Sequence, residues 1–192
     1  MQDVMRNQFY KQRSDFELSA IERDKTQVMP EGVSVQTDIP YMNDGDKAHR
    51  MDVYRPEGSE DTTLPVVINI HGGGLLIDSK EFNRFFCAKL SRLGYLVFSI
   101  DYRLVPDCMV FDQFSDVCNA FKYINAHLGE YNGDSGHIYG VADSGGAYLL
   151  TYTAAMAKNR ELAKAAHVKP QKFSFRAIGL ISGMFYTNRF DR

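Results

Sequence analysis

Three scarcities bound what this chain is. Cysteine is rare: Cys87, Cys108 and Cys118 are odd in number and lack ligand spacing, which excludes a disulfide framework and a cysteine zinc site. Such residues ordinarily serve as small buried hydrophobes, and their scarcity suits a reducing, cytoplasmic compartment. Long apolar runs are missing: none approaches the roughly 18 residues of a membrane span, and residues 1–18 lack the apolar core of a secretory signal. Charge of one sign is also missing. The net charge of −2 leaves no basic footprint for nucleic acid. Neither the dinucleotide pattern G-x-G-x-x-G nor the phosphate loop G-x-x-x-x-G-K-[ST] occurs, and nothing calls for a metal or organic cofactor. What remains is 192 residues, 44% hydrophobic and 24% charged, enough for one domain with a substantial core.

Periodicity gives the layout. Residues 1–29 carry Val4, Phe9, Phe16, Leu18 and Ile21 at loosely helical spacing among charges, which predicts one or two amphipathic helices. Val33–Ile39 and Arg50–Tyr54 alternate apolar and polar around a turn at Asn43–Asp46, the pattern of an antiparallel hairpin. Beyond the polar loop Glu57–Thr63 the texture changes. Val66–Ile70, Tyr95–Ile100, Ile138–Val141 and Ala177–Ile181 are nearly continuous apolar runs, as in parallel strands buried on both faces. Helical segments are predicted between them, at about 80–93, 113–128 and 145–165. The alternation predicts an α/β fold with a mostly parallel sheet covered by helices on both faces.

Two glycine-rich motifs follow such strands. Ala142-Asp143-Ser144-Gly145-Gly146 reads as a strand-to-helix turn that exposes Ser144, with small residues two before and two after because the backbone folds close to itself. Ser144 is the candidate nucleophile; the bland reading is a glycine-rich helix start with a capping serine. His71-Gly72-Gly73-Gly74 is costlier to order, so something there needs bare backbone. An oxyanion hole has that need, because its N–H groups must approach a carbonyl oxygen without a Cβ in the way. Gly72, Gly73 and Gly145 are the candidate donors, and His71 reads as a structural anchor. A third segment, Asp101-Tyr102-Arg103-Leu104-Val105-Pro106-Asp107, reads as scaffold, with Asp116 placed to accept from Arg103 or Tyr102.

In this order the three segments resemble the HGGG, DYRLAPE and GDSAGG motifs of the hormone-sensitive-lipase-like esterases, over roughly residues 33–185. Ala142, Gly145 and Ala147 each replace one small residue by another, and Leu75 stands where an aromatic is usual. The resemblance implies the α/β-hydrolase fold, a serine carboxylesterase acting on short or medium acyl esters, and an N-terminal helical cap over residues 1–30 with the hydrolase core at 31–192. The same scaffold also hosts non-catalytic small-molecule-binding proteins, such as the plant gibberellin receptors, and related peptidases and amidases.

That fold orders its triad as serine, acid, histidine. After Ser144 stand only His167 and the acids Glu161 and Asp191. A helix continuing from Ser144 rises about 1.5 Å per residue and carries His167 roughly 35 Å away. His49, His127 and His137 precede the serine. The chain therefore reads as the N-terminal portion of a longer esterase, ending after its sixth strand, with acid and base beyond residue 192. Left at an edge, Ala177–Ile181 offers unpaired backbone groups and invites homo-oligomeric association.

Overall fold

The computed structural model describes residues 2–169, 173–183 and 185. Six strands form one sheet: β1 (Val33–Pro40), β2 (Arg50–Pro56), β3 (Leu64–Ile70), β4 (Leu96–Ile100), β5 (Gly133–Asp143) and β6 (Ala177–Ile181), in the spatial order β1-β2-β4-β3-β5-β6. The hairpin β1–β2 is antiparallel and joins β4 antiparallel; β4, β3, β5 and β6 run parallel. This is the α/β-hydrolase arrangement that the strand–helix alternation and the motifs together imply.

Helices cover both faces. α2 (Arg84–Arg92) follows a 3-10 turn at Lys80–Asn83 and packs Cys87 and Ala88 on Tyr54, Val67 and Val97. On the other face α3 (Val110–His127) and α4 (Ser144–Met156) bury Phe114, Val117, Phe121, Ile124, Leu149 and Leu150 against Ile68, Ile70, Phe98 and Ile138. α3 starts three residues earlier than its apolar spacing predicts, because the Asp112 carboxylate accepts from the Met109 N–H at 2.8 Å and stabilises an extra turn. Cys87 and Cys118 are buried as expected, whereas Cys108 is only partly so.

Two expectations need correction. The predicted helix 145–165 is two helices: α4 ends at Met156, and α5 (Arg160–Ala165) restarts where the Asn159 side chain accepts from the Leu162 N–H at 3.1 Å. The continuous apolar pattern holds as double-faced burial for β3 and β4. It fails for β6, whose residues are largely exposed: among the described residues α4 is the main helix packed near this strand, and Ile178 and Ile181 are left exposed.

The N-terminal region is a single helix, α1 (Gln2–Asp24). It leaves Val4, Leu18 and Ile21 exposed. Its second half lies against the 3-10 turn, where Phe16 and Phe82 meet with ring centroids 5.1 Å apart. Asp24 pairs with Arg84 at 2.7 Å. Between α1 and that turn runs a cleft of about 380 Å³, whose lining includes Phe16, Ile21 and Phe82 together with Asp24, Asp78 and Glu81. No helix among the described residues is long and apolar enough to cross a membrane.

Candidate active site

Strand register brings the three motifs together. Ile100, Ile70 and Ala142 stand abreast at the C-terminal ends of β4, β3 and β5. The chain leaves those ends as Asp101, His71 and Asp143, side by side at the carboxyl edge where open parallel sheets bind ligands.

Ser144 begins α4 with φ of 47°, in the left-handed region that costs a non-glycine residue on the order of 1–3 kcal/mol. That turn aims a partly exposed serine out of the sheet end, at the positive end of a helix. The following residues are buried and bare for a reason. A Cβ on Gly146 would fall inside the van der Waals radii of the Ile70 and His71 carbonyl oxygens. A Cβ on Gly145 would sit 3.0 Å from the Leu75 nitrogen and 3.2 Å from that of Gly74. The glycine loop thus lies directly on the start of α4.

The loop itself is strained. Gly73, Gly74, Leu75 and Asp78 have φ of 88°, 60°, 72° and 83°, and Gly73 accepts the Leu76 and Ile77 N–H groups at 3.2 and 3.1 Å. Gly72 is packed against the Asp143 side chain, which leaves no room for a Cβ. Among the described residues, the nitrogens of Gly73 and Gly74 donate to no other protein group. Gly74, which sequence reasoning left out of the candidate donors, thus has a nitrogen without a protein partner 3.2 Å from where a Cβ on Gly145 would stand.

Residues far apart in sequence hold the strain in place. The Tyr102 hydroxyl donates to the carbonyls of His71 at 2.8 Å and Gly72 at 3.0 Å. The Gln113 amide donates to Leu75 O and Arg103 O, both at 2.8 Å. Asn83 donates to the Asp143 carboxylate at 3.1 Å. Asp116 accepts from the Arg103 guanidinium at 2.9 and 2.7 Å, as expected; Tyr102, the other expected donor, goes to the loop instead because its ring stacks on His71. Gln113, Asn83 and Asp78 carry no sequence signal of this kind, since each acts through a contact set only by the fold.

His71 is an anchor. It is wholly buried, with its ring stacked 4.3 Å from that of Tyr102 and Nδ1 3.1 Å from the Gly72 carbonyl. Nε2 faces Asp101 at 3.5 Å, too long for a good hydrogen bond. Burial opposes its charge, but Asp101 outweighs that and raises its pKa above the ordinary value. Asp101 also accepts the Lys80 N–H at 2.6 Å, and the buried Lys80 ammonium lies 3.1 Å from Asp52 and 3.2 Å from Asp38. Asp78 lies beside this group; burial and the neighbouring Asp143 lift its carboxyl to about 6 against the pull of His71.

The other histidines are committed elsewhere. His49 bridges Asp44 and Asp116, His127 stacks on Tyr123, and His137 pairs with Asp134. His167 is exposed in a left-handed turn after α5. Among the described residues no hydrogen bond joins Ser144 to a histidine or an acid. Asp191 lies outside the described residues.

Known proteins share this frame. Esterase B of Lactobacillus rhamnosis superposes with a TM-score of 0.89 at 26% identity, covering 95% of this chain and 59% of that one. The esterase of Pyrobaculum calidifontis superposes at 0.66 with 30% identity, over 80% of this chain and 48% of its own. In sequence, a probable isoprenylcysteine alpha-carbonyl methylesterase of Arabidopsis thaliana is 31% identical over 105 residues, 55% of this chain and 22% of that protein. Esterase LipQ of Mycobacterium tuberculosis is 28% identical over 128 residues, 66% of this chain and 30% of its own length. The chain thus spans under two thirds of each. The family model described as BD-FAE matches residues 51–185, and the chain belongs to that family of α/β-hydrolase esterases.

Proposed function

We propose that this chain carries the nucleophile and oxyanion hole of a serine carboxylesterase. The observation that carries this reading is the left-handed Ser144 on the sheet's carboxyl edge, with bare loop amides pressed against the residue that follows it. Ser144 Oγ attacks the ester carbonyl and passes its proton to a base. The N–H groups of Gly72, Gly73 and Gly145, joined by Gly74, stabilise the oxyanion, each worth roughly 10²–10³ in rate. The alcohol leaves with a proton, and water then releases the acid from the acyl-enzyme.

The base and its orienting acid are supplied from outside the described residues. The solved esterases and the curated relatives support an ester substrate. Esterase B has been solved with a tributyrin phosphonate, which favours a short acyl group here. Residues 1–30 act as a cap over the acyl side of residues 31–192. β6 is an edge strand among the described residues, and that edge is the surface for self-association.

The test is hydrolysis of short-chain p-nitrophenyl esters by the protein expressed from its whole gene. Ser144→Ala is expected to lower the rate at least 10³-fold. An active alanine variant would remove Ser144 from the mechanism. Tight binding of an ester without turnover would instead favour a binding protein, and preference for anilides an amidase.

A further inference from the structure

α1 straddles the strained loop, and one side chain couples the two. The Arg13 guanidinium donates from Nε to the Leu76 carbonyl at 3.1 Å, from one terminal nitrogen to the Val105 carbonyl at 3.0 Å, and from the other to the Asp107 carboxylate at 2.9 Å. The Tyr10 hydroxyl takes the second Asp107 oxygen. Val105 in turn donates its N–H to the Leu75 carbonyl at 3.0 Å. Arg13 therefore closes a ring through Leu76, Leu75 and Val105.

This placement matters because the loop is not self-sustaining. Three of its residues and Asp78 just beyond hold left-handed backbone, two of them without the freedom of glycine. The Leu75 carbonyl is held from the core by Gln113 and Val105, whereas the Leu76 carbonyl is held from α1, by Arg13. Arg13 is partly buried, with its side chain 20% exposed, so the fork is ordered rather than solvated. The C-terminal half of α1 is held at Phe82, through the Phe16 ring and the Arg23 guanidinium on its carbonyl at 3.0 Å, and at Arg84, which pairs with Asp24 at 2.7 Å.

We propose that Arg13 is a positioning residue for the glycine loop, so that docking of α1 and alignment of the loop amides opposite Ser144 are one event. Lifting α1 slackens the amides; seating it restores them. The functional half rests on reading those amides as an oxyanion hole, where a misplacement near 1 Å costs about 10² in rate. The structural half does not.

Hydrogen exchange on the protein expressed from its whole gene tests the structural half. The reporters are the Leu76 and Ile77 amides, which close the turn on Gly73. Arg13→Ala is expected to speed their exchange about tenfold or more while β3 and β4 stay unchanged. Arg13→Lys keeps the charge opposite Asp107 but cannot fork onto two carbonyls, and is expected to do the same. Lys11→Ala, on the exposed Lys11–Asp15 pair, is expected to do nothing. Unchanged loop exchange in Arg13→Ala overturns the proposal, as does full protection in Arg13→Lys. Where Arg13→Ala melts the sheet, the lysine variant decides alone. Ester kinetics test the other half: kcat is expected to fall about tenfold with KM within about twofold. A faster-exchanging loop with unaltered kcat overturns the catalytic link. An unsubstituted protein that hydrolyses no ester sinks the esterase reading alone and leaves the exchange result standing.

Discussion

The Gly146 α-carbon lies so close to the His71 carbonyl oxygen that no side chain fits between them. This contact welds the two glycine motifs, one after β3 and one after β5, into a single surface. Gly146→Ala must therefore push α4 off the loop. A loss of about 1–3 kcal/mol is expected by urea unfolding, the range of overpacked interiors. Gly129→Ala, where a Cβ meets nothing within 4 Å, is expected to stay within about 0.5 kcal/mol of the parent. Equal effects at the two sites would contradict the packing account.

Tyr102 holds the loop through a hydroxyl that serves two consecutive carbonyls. Tyr102→Phe keeps the ring stacked on His71 but strips both carbonyls of a buried donor. The expected cost is about 1–3 kcal/mol of stability. Its signature is a larger proportional loss of ester hydrolysis than of ester binding. A phenylalanine variant with full activity would show that the loop needs no such tether.

Ser144 sits where glycine would be comfortable. Ser144→Gly is expected to raise stability by about 1 kcal/mol while abolishing turnover. Ser144→Ala should abolish turnover with little change in stability, since it keeps the backbone strain. Thermal melts of the two variants side by side make the comparison. A glycine variant no more stable than the alanine one would mean that the turn carries no strain.

Asp78 introduces a pH dependence of known sign. Its carboxyl is raised to about 6, chiefly by burial, so the native state holds its proton more tightly than the unfolded chain does. Its contribution to stability is complete below about pH 4 and is lost as pH rises to about 6. After allowance for its partial exposure, the loss is on the order of 1–2 kcal/mol. Asp78→Asn is expected to match the parent near pH 4 and exceed it by that amount at pH 7.5. A difference that ignores pH would contradict the burial argument.

Much of this was legible in the residues themselves. Apolar runs located β3 and β4, alternation located the hairpin, and the cost of consecutive glycines pointed to a loop that uses bare backbone. Asp116 was found as the partner of Arg103 because it lies early in the helix that follows that strand. What escaped was set by contacts across the fold. Gln113 reads as a polar residue on an apolar helix until α3 places it beneath Leu75. Arg13 is one charge among many until α1 lies across Leu76. The break at Asn159 was hidden because a capping side chain looks like any other polar residue inside a helical pattern. Exposure of β6 was hidden because an apolar sequence does not say whether a helix covers it.

Labelling with a fluorophosphonate tests the central claim most directly. The protein expressed from its whole gene is treated with the probe, its intact mass is measured, and Ser144→Ala is treated alongside. The account expects one adduct, present in the parent and lost in the variant. An adduct that survives Ser144→Ala, or none on a protein that hydrolyses esters, would contradict it.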